Sequence, residues 1–209
     1  MKSVLRRIDK AIKRLYNLDF SRSVEEFLVV LPQAKQPGAL LVAHAPDKTL
    51  EMGIHLGPTV RKGLKSFPRG LWVEWPRETL QAFTVATEEI SHFHYVRYHA
   101  TQGRQVSQLE LEMQGEIDKF LIAYFTNSES ATKDGFEKLY EQFFLQFRLQ
   151  VGLDEEEQQR YLEANRLAQR FIRKLADQLQ DPHEREAVFR FLRKFYRLNA
   201  VEKISQIAA

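Results

Sequence analysis

Two successive stretches, Thr87–His94 and Leu109–Glu116, put carboxylates at helical positions where a globular domain normally buries leucine. On a helix over residues 79–98, at about 100° per residue from Leu80, the residues Val85, Ala82, Phe93, Ala86, Ile90 and Phe83 share one arc. Glu89 falls inside that arc, and Glu88 and His92, four residues apart, flank its edge. A second helix, Val106 to Phe125, has the stripe Leu109, Met113, Ile117, Phe120 and Tyr124. Glu110 lies between Ile117 and Leu121 on that wheel, and Glu116 between Leu109 and Ala123. Gly115 at mid-helix costs about 1 kcal/mol relative to alanine and is expected to let a neighbouring backbone come close. A lone buried carboxylate costs several kcal/mol unless it is paired, protonated or bound to a metal, so any fold of this chain must supply partners.

Three arrangements meet that demand. The acids form a buried salt-bridge network with the arginines downstream. Alternatively, Glu88, His92, Glu112 and Glu116 ligate a divalent ion, with Glu89 or Glu110 as general base toward a metal-bound water. One imidazole among carboxylates suits iron, manganese or zinc rather than copper. In the third arrangement the helices take another register and the acids face solvent.

Known signatures do not decide between them. Glu88-Glu89-Ile90-Ser91-His92 is one residue away from the His-Glu-x-x-His zinc-peptidase helix and lacks its first imidazole. Glu89 to His92 is a single Glu-x-x-His, where a di-iron bundle needs two such motifs and two more glutamates. The chain has no phosphate-cradling glycine loop, no serine nucleophile elbow and no cysteine. Disulfides and thiolate metal sites are thereby excluded. The basic N-terminus is not followed by a signal-like apolar run, and no span approaches the ~20 apolar residues of a membrane helix. The expected compartment is the cytoplasm.

The net charge of +3 is unevenly distributed. Residues 1–22 and 160–203 each carry an excess of five positive charges, and residues 105–159 an excess of eight negative ones. Two later helices carry matching basic stripes: Arg166, Arg170, Arg173 and Lys174 on one, Arg190, Arg193, Lys194 and Arg197 on the other. Arginine predominates, which suits bidentate contact with carboxylate or phosphate.

The remaining elements follow from pattern. Ser3 is expected to cap a helix to about Tyr16 with Leu5, Ile8, Ile12 and Leu15 inward. Phe27–Leu31, Ala39–Ala45 and Thr49–Leu56 read as strands, the last two a hairpin turning at Pro46-Asp47-Lys48. His44 and His55 on them read as structural. Between Gly57-Pro58 and Pro76 lies a breaker-rich connection in which Arg61, Lys62, Lys65 and Arg69 accompany Phe67, Trp72 and Trp75. Helices are expected at Asp134–Leu149, from Asp154 to Leu179, and from Asp181 onward.

The expected fold is α+β, mostly α. An N-terminal helix and a small antiparallel sheet of three strands (residues 1–70) pack on about five helices (75–207) as one continuous unit. The leading functional expectation is a cytosolic interaction module whose arginine-rich C-terminal surface engages an acidic protein or nucleic acid. The alternative is the metal-dependent enzyme. The aromatic face of residues 136–147 is a candidate homodimer surface.

Overall fold

The computed structural model describes residues 1–34, 36–45, 49–67, 76–126, 132–149 and 152–208. The expected turn at Pro46-Asp47-Lys48 and the segment with Arg69, Trp72 and Trp75 lie outside the described residues. Helix α1 (Lys2–Tyr16) buries Val4, Leu5, Ile8, Ile12 and Leu15, as its spacing predicts. It starts at Lys2 without a side-chain cap, so Ser3 sits inside its first turn. It ends where Asn17 adopts the left-handed conformation at φ 52°.

Strands β1 (Leu28–Val29), β2 (Gly38–His44) and β3 (Leu50–Leu56) form one sheet in the order β1-β3-β2. β2 and β3 pair antiparallel as expected, with Gly38 opposite Leu56. β1 instead runs parallel to β3, with Leu28 opposite Ile54, so the sheet is mixed rather than wholly antiparallel. Side-chain alternation has the same period of two in both directions and does not encode strand polarity. The first strand is also shorter than expected, because Ser23 and Glu26 form a capping box that turns Val24–Phe27 into a 3₁₀ helix.

Gly57-Pro58, expected to begin a connection, opens helix α2 (Pro58–Lys65) with proline at its first turn. Gly63 lies so close to the next helix that a Cβ there would stand 2.6 Å from Ala82 Cβ and 2.9 Å from the Glu78 carbonyl oxygen. Helix α3 (Arg77–Thr101) backs the sheet on one side and packs on α4 (Gln108–Thr126) on the other. On its far side α4 meets α6 (Glu155–Lys174), and α1 and α5 (Lys133–Tyr140) also touch it. Every residue of α4 from Met113 to Tyr124 is therefore buried, including Gln114, Glu116, Asp118 and Lys119.

α5 runs into a π-helical turn, Glu141–Leu145, which ends it short of the expected Leu149. Phe136, Leu139, Tyr140, Phe143 and Phe144, the face considered for a homodimer, are buried, with Phe144 stacked on Phe120 of α4 and Phe136 edge-on to it. α6 opens on the expected capping box, in which the Glu157 N–H donates to Asp154 over 2.8 Å and the Asp154 N–H donates back over 3.0 Å. It breaks at Leu175, so α7 (Ala176–Gln180) is a separate piece. α8 (Arg185–Arg197) and α9 (Ala200–Ala208) follow, giving seven α-helices from Arg77 onward among the described residues where about five were expected. None of the helices described is long and apolar enough to cross a membrane.

Candidate functional site

Helical spacing sets Glu88 and His92 one turn apart on α3, and Glu112 and Glu116 one turn apart on α4. The α3–α4 packing brings three of these four together. One ligand atom each of Glu88, His92 and Glu112 lies within 4.8 Å of the others. Nε2 of His92 stands 3.6 Å from Glu112 Oε2, too far for a hydrogen bond, and it is buried without a hydrogen-bond partner. Gly115 makes room for this ring: a Cβ there would lie 2.9 Å from His92 Nε2. The close neighbour that the glycine admits is thus a side chain, not a backbone.

The fourth residue, Glu116, turns away toward Lys119, whose Nζ donates to Glu116 Oε1 over 2.7 Å and to Glu88 Oε2 over 3.1 Å. Glu89 faces the sheet, its carboxyl against Gly38 and bonded to the Leu40 backbone. Tyr161 of α6 stands beside Glu112, and Asn165 beside Glu116, close enough to lower the two carboxyls. Two carboxylates, Glu88 and Glu116, thus hold one buried ammonium, and Glu89 and Glu112 lie within its electrostatic reach.

Burial decides how such a cluster ionises. Desolvation, reinforced by the negative charge of Glu88, pushes Glu112 up to about 8. Desolvation also raises Glu116, and it holds Glu89 well above the usual carboxylate range, with Glu88 and Glu112 adding to the effect. Glu88 stays below its usual range, because Lys119 and His92 outweigh its own burial. Burial lowers His92 to about 4, so its imidazole is neutral at physiological pH, the form that ligates metals.

Glu88, Glu116, Lys119 and Tyr161 line a cleft of about 820 Å³, behind whose lining His92 and Glu112 lie. Leu80, Val85, Phe143 and Leu153 form apolar walls, together with Leu145 of the π-helical turn. π-turns recur at functional sites because the extra residue re-aims side chains. Arg77 and Arg148, both exposed, stand at the rim.

Glu110 belongs elsewhere. Arg104 donates to it through both terminal nitrogens, over 2.7 and 3.0 Å, and Tyr95 Oη over 2.5 Å. This second network continues through Lys203 of α9, which donates to Gln114 over 2.6 Å. Gln114 and Tyr16 both bond Asp118, which Ser91 also reaches over 2.5 Å. Glu88 and Glu116 thus pair with Lys119, and Glu110 with Arg104, rather than with the arginine stripes of α6 and α8.

Five of the eight stripe residues are held by the chain itself. Arg166 pairs with Glu163, and Arg173 pairs with Glu137 and lies over the Tyr140 ring at 3.9 Å. Lys174 donates to the Gln206 carbonyl. Arg193 and Arg197 donate to carbonyls of Leu15 and Tyr16, closing the C-terminal end of α1 where the helix dipole is negative. Arg170, Arg190 and Lys194 are exposed.

Lys119, Tyr161 and the cleft walls escaped the sequence reading. Lys119 did carry a signal: it is the only basic residue between Gln105 and Thr132, three positions after Glu116. Comparison with protein-family models, curated proteins and solved structures returns no match for this chain.

Proposed function

We propose that this chain is a cytoplasmic metal-dependent enzyme, with Glu88, His92 and Glu112 as ligands of a divalent iron, manganese or zinc ion. The observation that carries this reading is the buried Nε2 of His92, which has no hydrogen-bond partner and lies within 4.8 Å of a carboxylate oxygen of both Glu88 and Glu112, Glu88 also lining the cleft. Metal–ligand bonds of about 2.0–2.2 Å hold neighbouring ligand atoms roughly 3–3.5 Å apart, so small side-chain rotations close the site. Three protein ligands leave a coordination position for water or substrate, as catalytic sites require, and Glu88 is the ligand that lines the cleft. An ion held there supplies Lewis acidity and an activated water. The protein contributes a neutral imidazole, Tyr161 beside Glu112, and in Glu89 a carboxyl whose pKa burial raises well above the usual range.

Elemental analysis of protein purified without chelator, followed by calorimetric titration with Mn²⁺, Fe²⁺ and Zn²⁺, tests the reading. One equivalent is expected. His92→Ala and Glu112→Gln should weaken binding by more than the roughly 10–100-fold that loss of a supporting group costs. Gly115→Ala should also weaken it while the fold persists, because alanine gains about 1 kcal/mol at mid-helix. Less than about a tenth of an equivalent, with no thermal shift on adding metal, would remove the proposal.

A second reading, an acidic protein or nucleic-acid partner, rests on Arg170, Arg190 and Lys194, which are exposed and have no ion-pair partner among the described residues. Reversing all three charges should abolish capture of that partner at physiological salt. Retention of the partner ends this reading.

A further inference from the structure

The cleft has more wall than a bound ion needs. Its apolar side is formed by Leu80, Val85, Phe143 and Leu145, and Leu145 is 63% exposed although it is a large aliphatic side chain. An open apolar wall inside a concavity of about 820 Å³ is what an organic ligand body covers. The lining is cationic at two exposed places: Arg77 is the first residue of α3, and Arg148 follows the π-helical turn. Among the described residues neither arginine has an ion-pair partner, whereas Arg22, Arg104, Arg166 and Arg173 all pair with glutamates of this chain. The amides of Gln81, Gln142 and Gln146 line the same cleft and add hydrogen-bonding capacity beside the arginines.

We infer that the cleft binds an amphipathic organic anion: an acyl or aryl body lies along the Leu80–Leu145 wall, and its anionic group meets Arg77 and Arg148. The far end of such a molecule reaches the floor at Glu88 and Lys119. This deepens the metal reading by naming the substrate class that would lie against the ion, and it rests on that reading for catalysis only. Binding itself needs no metal. An apolar wall supplies affinity in proportion to the surface it covers, and a guanidinium pair selects the sign of the charge.

Calorimetric titration with dodecanoate below its micellar concentration, in the presence of EDTA, tests the inference against dodecyltrimethylammonium, which has the same chain and the opposite charge. Saturable binding of dodecanoate is expected, with the cationic probe weaker by roughly tenfold or more, the difference of one charge-assisted contact. The double variant Arg77→Gln/Arg148→Gln should lose at least about that factor for dodecanoate alone. Leu145→Asp, at a position exposed enough to leave the fold intact, should weaken both probes. Arg170→Gln, on a distant stripe, should change nothing. Equal affinity for the two probes, no saturable binding, or wild-type affinity in the double arginine variant overturns the inference. Repeating the titration with His92→Ala separates the two readings. Loss of metal with retained dodecanoate binding bears on the ion alone, and metal binding without dodecanoate binding bears on the substrate class alone.

Discussion

Replacing Lys119 by methionine is expected to destabilise the protein by about 3–5 kcal/mol at neutral pH, the usual cost of stranding a buried charge. Its ammonium is buried and bonded to both Glu88 and Glu116. Those two contacts raise its pKa above the ordinary lysine value of 10.5 even though burial opposes them. A cation whose folded pKa is raised contributes stability below its unfolded value, so at pH 7 the contribution is fully present. Methionine keeps the stem and removes the charge. Glu88 and Glu116 then face burial and each other without compensation, and their pKa values rise above the unfolded one. Groups shifted in that direction lose stability as pH rises and carry no penalty once both states are protonated. Urea denaturation of wild type and Lys119→Met should therefore differ strongly at pH 8 and much less at pH 4. An equal loss at both pH values would assign the cost to packing and sink the electrostatic account.

The second large effect is a pH dependence located at Glu112. Burial and the charge of Glu88 hold this carboxyl at about 8, against a usual 4.5. The folded state keeps a proton that the unfolded chain releases, so metal-free protein should lose stability as pH climbs from about 4.5 through about 8. Each pH unit of displacement corresponds to about 1.4 kcal/mol, which puts a ceiling near ~5 kcal/mol on the loss. Glu112→Gln removes the ionisation and retains a neutral group of the same size. In EDTA at pH 9 the variant should be more stable than wild type, and its stability should fall less steeply between pH 5 and 9, with Glu89 and Glu116 left to titrate. The same substitution should cripple metal binding. Stability gained where function is lost is the signature of a site kept at a thermodynamic cost. A wild-type profile already flat across that window would show that Glu112 does not titrate there.

Periodicity was enough to find the helices that matter. The stripes of α1, α3 and α4 were legible because an amphipathic helix repeats every 3.6 residues whatever it packs against. The capping box at Asp154 and Glu157 was legible because its two hydrogen bonds are local. The anomaly of Glu89, Glu110 and Glu116 was visible for the same reason, since each occupies a position whose wheel angle belongs to the interior, with Glu88 at the edge. Helix α2 was hidden because Gly57-Pro58 reads as a breaker unless the proline is known to sit in the first turn.

Two points were beyond any one-dimensional reading. The parallel pairing of β1 depends on which side of β3 the chain returns to, and side-chain alternation is silent on that. The partners of the acids depend on α4 being enclosed on all sides by α1, α3, α5 and α6. A wheel assumes one wet face, so it could not foresee that Gln114, Asp118 and Lys119 would be buried as well.

The sequence by itself determined that this chain is mostly helical and that its central helices carry acids no apolar core would accept unaided. Only the tertiary structure decided which acids meet. It drew Glu88, His92 and Glu112 together, gave Glu116 to Lys119, and tied Glu110 to Arg104. The physical reason is range. Helical phase is set by neighbours three and four residues away, whereas the partner of a buried charge is chosen by the packing of elements far apart in the chain.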